Sequence, residues 1–161
     1  MFYQENSSLV REYAGERLVV QLWGKDSLRV RSTMRPEFKN EDWALLSGPR
    51  IESANIVIAN DGSASITNGR ITARIDPRGQ IAFLNHKGQL LLQEFIRARL
   101  GNMQTGDGHI DQEAIKYFNS ALKIYPREFN PILGGDYTLT VRFESRPEER
   151  ISAWANISTG S

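Results

Sequence analysis

The sequence predicts an all-β domain, a β-sandwich, on three observations. Apolar residues alternate with polar ones over short runs, the period of a strand with one buried face. Gly, Asn, Asp and Pro cluster between those runs at close spacing. The apolar patterns of about ten to fifteen residues that crossover helices need between parallel strands are missing.

The elements follow in order. Leu18, Val20 and Leu22 point one way while Val19, Gln21 and Trp23 point the other. Trp23-Gly24-Lys25-Asp26-Ser27 supplies a turn, after which Leu28 and Val30 alternate with Arg29 and Arg31. This predicts an antiparallel hairpin of Leu18–Trp23 with Leu28–Ser32. Its single buried face carries Leu18, Val20, Leu22, Leu28 and Val30. Further strands are expected at Ala54–Ala59, Ala64–Thr67, Arg70–Ile75, Gln80–Leu84 and Gln89–Phe95. Asn60-Asp61-Gly62, Asn68-Gly69, Asp76-Pro77-Arg78-Gly79 and His86-Lys87-Gly88 separate them. Asn68-Gly69 reads as a two-residue type I′ turn, with positive φ at both positions. Two last strands, Ala121–Phe129 and Tyr137–Glu144, are separated by Pro131 and Gly134-Gly135. One short helix is expected at Asp111–Phe118, capped by Asp111, inside a polar insertion from Gly101 to Asn119. An irregular stretch from Met34 to Ser53 carries Trp43, Leu45 and Leu46 between Pro36 and Pro49.

At 161 residues the chain fits one domain of about 150. Such a length buries about two thirds of its unfolded surface, enough for a core without staples. The net charge of +1 and the lack of a Lys/Arg cluster argue against a nucleic-acid partner. No uninterrupted apolar run approaches the roughly twenty residues of a membrane helix, so no membrane partner is expected. The first residues, Met1 to Asn6, lack the basic and apolar regions of a signal peptide. With no Cys there is no disulfide framework, thiolate nucleophile or cysteine zinc site. The expectation is a cytoplasmic chain with no metal and no cofactor.

Catalytic motifs are scarce. His86 lies in a turn and His109 in the insertion, where a solvated histidine is the commoner case. There is no H-E-x-x-H, G-x-S-x-G, G-x-x-x-x-G-K-[ST] or G-x-G-x-x-G. Asp107 to Asp111 lacks the alternating acids and terminal Glu of a calcium loop and reads as a polar loop leading into a helix cap.

More specific information comes from the ordered series of strands. Leu22-Trp23-Gly24-Lys25-Asp26-Ser27-Leu28-Arg29-Val30-Arg31 resembles the opening of the N-terminal domain of glycoside hydrolase family 31. The likeness continues through Asp42 to Leu46, Ile66 to Ala73, Gly79 to Asn85 and Gly88 to Glu94. It ends with Gly134 to Tyr137, Val141 to Glu144 and Glu148 to Ile151. It is greatest to the α-xylosidase and α-glucosidase branches.

The resemblance implies a galactose-mutarotase-like β-sandwich over residues 1–151. Family members are retaining α-glycosidases whose two catalytic aspartates sit on a (β/α)₈ barrel. That barrel needs some 250 further residues, so no catalytic residue carries over. After Ile151 the family's Y-G-x-G-[EQ] continuation is replaced by Ser152-Ala153-Trp154, so residues 152–161 read as a divergent, disordered tail.

The implied partner is the missing barrel, with an α-linked oligosaccharide as the ligand of the assembled site. Rival readings are a stand-alone carbohydrate-binding module and a non-functional fragment. Aromatic stacking on sugars singles out Trp23, Trp43, Tyr125 and Tyr137. Trp43 fits best at the barrel interface and Trp23 at the sandwich edge, and these two are the candidate carbohydrate or interface residues. Tyr137 is expected inside, Arg29 and Arg31 on a solvated face, and Trp154 without a role.

Overall fold

The computed structural model describes residues 1–38, 54–95 and 126–144. Several expected features lie outside these residues: Trp43, Leu45 and Leu46, the Asp111–Phe118 helix with His109, Tyr125, and the tail with Trp154.

Eleven strands and no helix occur among the described residues. Strands β1 (Phe2–Glu5), β2 (Ser8–Tyr13), β3 (Glu16–Leu22) and β4 (Leu28–Thr33) form one meander. A second contains β5 (Asn55–Ile58), β6 (Ala64–Asn68), β7 (Ile71–Ile75), β8 (Ile81–Asn85) and β9 (Leu90–Gln93). A hairpin of β10 (Arg127–Ile132) and β11 (Asp136–Val141) completes the set. Adjacent strands pair antiparallel throughout.

The two meanders pack face to face. Leu9, Leu18 and Val20 of the first meet Ala64, Ile66, Ala73, Ile75 and Ile81 of the second in one buried cluster. Fully burying a Leu, Val or Ile is worth about 1.5–3 kcal/mol, so this small set supplies much of the driving force.

Three turns of the second sheet share one chemistry. Asp61, Asp76 and Asn85 each accept a backbone N–H two residues on, at 2.8, 2.9 and 2.9 Å. Gly62, Gly79 and Gly88 then take positive φ. This is the three-residue hairpin loop with a glycine bulge, encoded as Asx followed within three residues by Gly.

The predicted first hairpin forms in the expected register, Leu18 opposite Ser32, Val20 opposite Val30 and Leu22 opposite Leu28. Two expectations about it need correction. Val30 is 36% exposed, because β4 is the edge of its sheet, while its partner Val20 is fully buried. Nor is there a single buried face: Val10 and Val19, opposite each other on the outward side, are buried too. Strands β2 and β3 are central and flanked on both sides.

Other corrections concern turns and strand ends. Asn68 pairs with Ile71 inside the ladder, and only Gly69 has positive φ. That is the pattern of a type II′ turn centred on Gly69-Arg70, not a type I′ turn on Asn68-Gly69. Pro131 lies within β10 rather than between strands. It is tolerated because β10 pairs on one side only, with β11, and the missing N–H removes no bond to a further strand. Strands β1 and β2 were not foreseen.

The β10–β11 hairpin bridges the two sheets along one flank. At its β11 end, Tyr137 Oη and Thr33 Oγ1 share a hydrogen bond of 2.7 Å, and Arg35 pairs with Asp136 at 2.9 Å. At the other end, Phe95 N–H donates to Arg142 O at 2.8 Å and Glu144 N–H to Gln93 O at 2.9 Å. Phe143 thereby bridges to Glu94 beside β9.

Candidate functional site

The Trp23–Ser27 turn is built to dock on another turn. Trp23 N–H donates to Ser27 O at 3.1 Å, and both Gly24 and Asp26 have positive φ. The turn thus folds back and presents outward-facing carbonyls. Asn68 Nδ2 donates to two of them, Gly24 O at 2.8 Å and Ser27 O at 2.6 Å. In return Asp26 accepts the Arg70 N–H at 2.8 Å and the Arg70 Nε–H at 3.1 Å. These hydrogen bonds hold the Asp26 carboxyl below the usual carboxylate range. The two turns lock the sheets together at one end of the sandwich.

Gly69 is central to this lock. A Cβ there would run into the Asp26 carboxylate, and its φ of +56° disfavours any L side chain. Gly69→Ala is therefore expected to lower the urea midpoint by at least about 1 kcal/mol equivalent, the usual cost of a left-handed residue. In an Asp26→Ala background the collision disappears and the backbone cost stays, so the same substitution should cost less there. An equal cost in both backgrounds would show that the contact is irrelevant.

Trp23, proposed for sugar or barrel contact, is half-buried at this end. The Arg29 guanidinium lies 4.7 Å from its ring centroid. Arg31 stacks likewise on Phe38, at 4.5 Å. These two arginines thus lie on aromatic rings, half-buried, where a solvated face was expected. Trp43 lies outside the described residues, so the two candidates are not brought together. Tyr137 is half-buried, its ring edge against Phe129 at 5.1 Å between centroids. His86 is exposed in its turn.

The opposite end of the sandwich holds an ionic network that motif searching did not find. Arg127, 3% exposed, donates through Nη1 to both Glu94 oxygens at 2.7 and 2.6 Å, and through Nη2 to Gly79 O at 2.8 Å. Its Nε–H reaches Glu16. Glu94 also accepts the Ile81 N–H at 2.9 Å, and Ser32 donates to Glu16 at 2.5 Å. Arg11 lies 3.9 Å from the second Glu16 oxygen, beside the Tyr13 ring at 4.8 Å. A Cβ on Gly79 would sit 2.5 Å from Arg11 Nη1, so glycine there makes room for the guanidinium.

Burial pushes the Glu94 carboxyl above its ordinary range; the Arg127 charge and its hydrogen bonds pull the other way without cancelling it. The two carboxylates hold Arg127 above the usual guanidinium range despite its own burial. Burial with only one nearby carboxylate lowers Arg11.

Comparison with known proteins places this architecture. No family model matches the chain. An uncharacterized family 31 glucosidase, ORF2 of Pseudescherichia vulneris, is 43% identical over 143 residues. Those residues are 87% of this chain and 26% of the relative. The crystal structure of a family 31 α-xylosidase from a soil metagenome, complexed with xylose, superposes with a TM-score of 0.72 at 39% identity. It covers 92% of this chain and 21% of the xylosidase. The chain belongs to glycoside hydrolase family 31. It spans about a quarter of the length of the relatives it matches.

Within this family 31 domain the turn residues that carried the resemblance have a physical task. The Trp-Gly-Lys-Asp turn and the Asn-Gly turn are the two halves of the inter-sheet lock. The buried carboxylates Glu16 and Glu94 are both committed to Arg127 and closed to a substrate. No group of three potential metal ligands occurs among the described residues. A recess of about 220 Å³ beside the hairpin is lined by Thr33, Arg35, Phe38, Asp136 and Tyr137. Its Arg35 and Asp136 pair with each other.

Proposed function

We propose that this chain acts as the non-catalytic N-terminal domain of a retaining α-glycosidase. In that role it packs on a (β/α)₈ barrel and shapes one wall of the sugar site. The barrel supplies the nucleophile and the acid/base, a carboxyl pair about 5 Å apart in a retaining enzyme. One observation carries the reading: 39–43% identity across about nine tenths of this chain to family 31 proteins four to five times its length. The two inter-sheet locks support a scaffolding part, since they spend their polar groups on each other. The stacking of Arg29 on Trp23 weighs against a free carbohydrate-binding module, which needs an open aromatic platform.

The chain alone is expected to hydrolyse neither aryl α-xylosides nor aryl α-glucosides, and to give no heat with xylose- or glucose-containing oligosaccharides. Turnover that co-purifies with the protein and survives controls for host glycosidase would overturn the non-catalytic assignment. Saturable binding by the isolated chain would favour the binding-module alternative.

A further inference from the structure

The apolar surface of the described residues is unevenly distributed. Five of their thirteen exposed large hydrophobics, Ile132, Leu133, Leu139, Val141 and Phe143, fall in the twelve residues from Ile132 to Phe143. Leu133, at the hairpin tip, is fully exposed. Tyr137, Leu139, Val141 and Phe143 are two apart and so share one face of their strand. By contrast, the outward face of β6 and β7 carries Ser65, Thr67, Thr72 and Arg74. Glu12, Arg17, Gln21, Arg29 and Arg31 line that of β2, β3 and β4. Patches of this kind mark interaction surfaces.

This hairpin is also held firmly. Arg127 fixes its base in the buried network, Tyr137 and Asp136 tie its far end to Thr33 and Arg35, and Phe143 is paired beside Glu94. A hairpin pinned at both ends cannot fold its apolar stripe back onto the sandwich. The stripe is presented in a fixed shape, which lowers the ordering cost of docking.

We propose that the Leu133 tip and the Leu139–Phe143 stripe form the surface by which this domain docks on the catalytic portion of its full-length enzyme. This rests on the accessory-domain reading above. The matched relatives carry three quarters or more of their length beyond the part that this chain matches. A stable inter-domain contact buries about 600–1,500 Å², and the hairpin flank is the apolar surface available for it among the described residues.

The test replaces the matching segment of the soil-metagenome α-xylosidase with this chain and follows melting of the whole chimera. Leu133→Asp and Leu139→Asp are compared with Val57→Asp, an equally exposed apolar site on the outward face of β5. All three are also made in the 161-residue chain. The expected result is that the hairpin substitutions lower the melting temperature of the chimera, or split its transition in two, and leave the isolated chain unchanged. Val57→Asp should alter neither. If the hairpin substitutions leave the chimera as stable as Val57→Asp does, the docking surface is elsewhere and the accessory-domain reading survives. If the unsubstituted chimera already melts as two independent units, the packing reading itself fails. If the isolated chain is a dimer that Leu133→Asp dissociates while the chimera is unaffected, the occupant is a second copy, and the proposal is overturned.

Discussion

Replacing Arg127 with methionine is expected to cost about 3–5 kcal/mol of unfolding free energy, because it strands two buried carboxylates without their partner. Glu94 is 2% exposed and Glu16 7%, so neither can recover its lost bonds from water without opening the flank. Domains of this size are stable by only about 5–15 kcal/mol, so the variant sits near the edge of folding. Urea unfolding followed by circular dichroism measures the change. Arg127→Lys should fall between, since one ammonium cannot reach Glu16, Glu94 and Gly79 O in the geometry of a guanidinium fork. Adding Glu16→Gln and Glu94→Gln to Arg127→Met should recover a large part of the loss. Desolvation already outweighs attraction at Glu94, so the intact network contributes far less than breaking it costs. A cost below about 1 kcal/mol for Arg127→Met would show that the network is in effect solvated.

That network also shows where sequence reading stops. Alternation in Leu18–Leu22 and Leu28–Val30 fixes a hairpin and its register because each step of two returns a side chain to the same face. Asp61-Gly62, Asp76 to Gly79 and Asn85 to Gly88 announce turns because aspartate, asparagine and glycine solve local backbone problems. Both signals span only a few residues. Arg127, Glu16 and Glu94 are 111 and 33 positions apart in their hydrogen-bonded pairs, and no local pattern marks them as partners.

Strands β1 and β2 escaped for a related reason. Leu9 and Val10 are adjacent rather than alternating because β2 is buried on both faces, and the turn after it is Ala14-Gly15, with Ala14 at φ +50°. Alanine is a poor turn signal. The inter-sheet lock was half legible. Its segments carried the family resemblance, yet the contacts between Asp26 and Arg70, 44 positions apart, emerge only in the folded chain.

Val20 and Val30 offer a controlled measurement of the sandwich core, since they face each other across β3 and β4 and differ mainly in burial. Val20 is fully buried among Leu9, Leu18 and Ile66, whereas Val30 is 36% exposed. Val20→Asp should destabilise by about 3–5 kcal/mol at neutral pH, because it places an unpaired carboxylate in the core. Val30→Asp, at the sheet edge, should cost about 1 kcal/mol or less. The pH dependence separates charge from shape. Burial raises the folded-state pKa of the introduced carboxyl above its unfolded value of about 3.9. Between those two values the folded form binds more protons than the unfolded one, so stability falls as pH rises through that window. The Val20→Asp deficit should therefore shrink at pH 4 relative to pH 7, while that of Val30→Asp should barely move. Equal penalties at the two positions would place Val20 outside the core, and a pH-independent Val20→Asp deficit would assign it to lost packing rather than to buried charge.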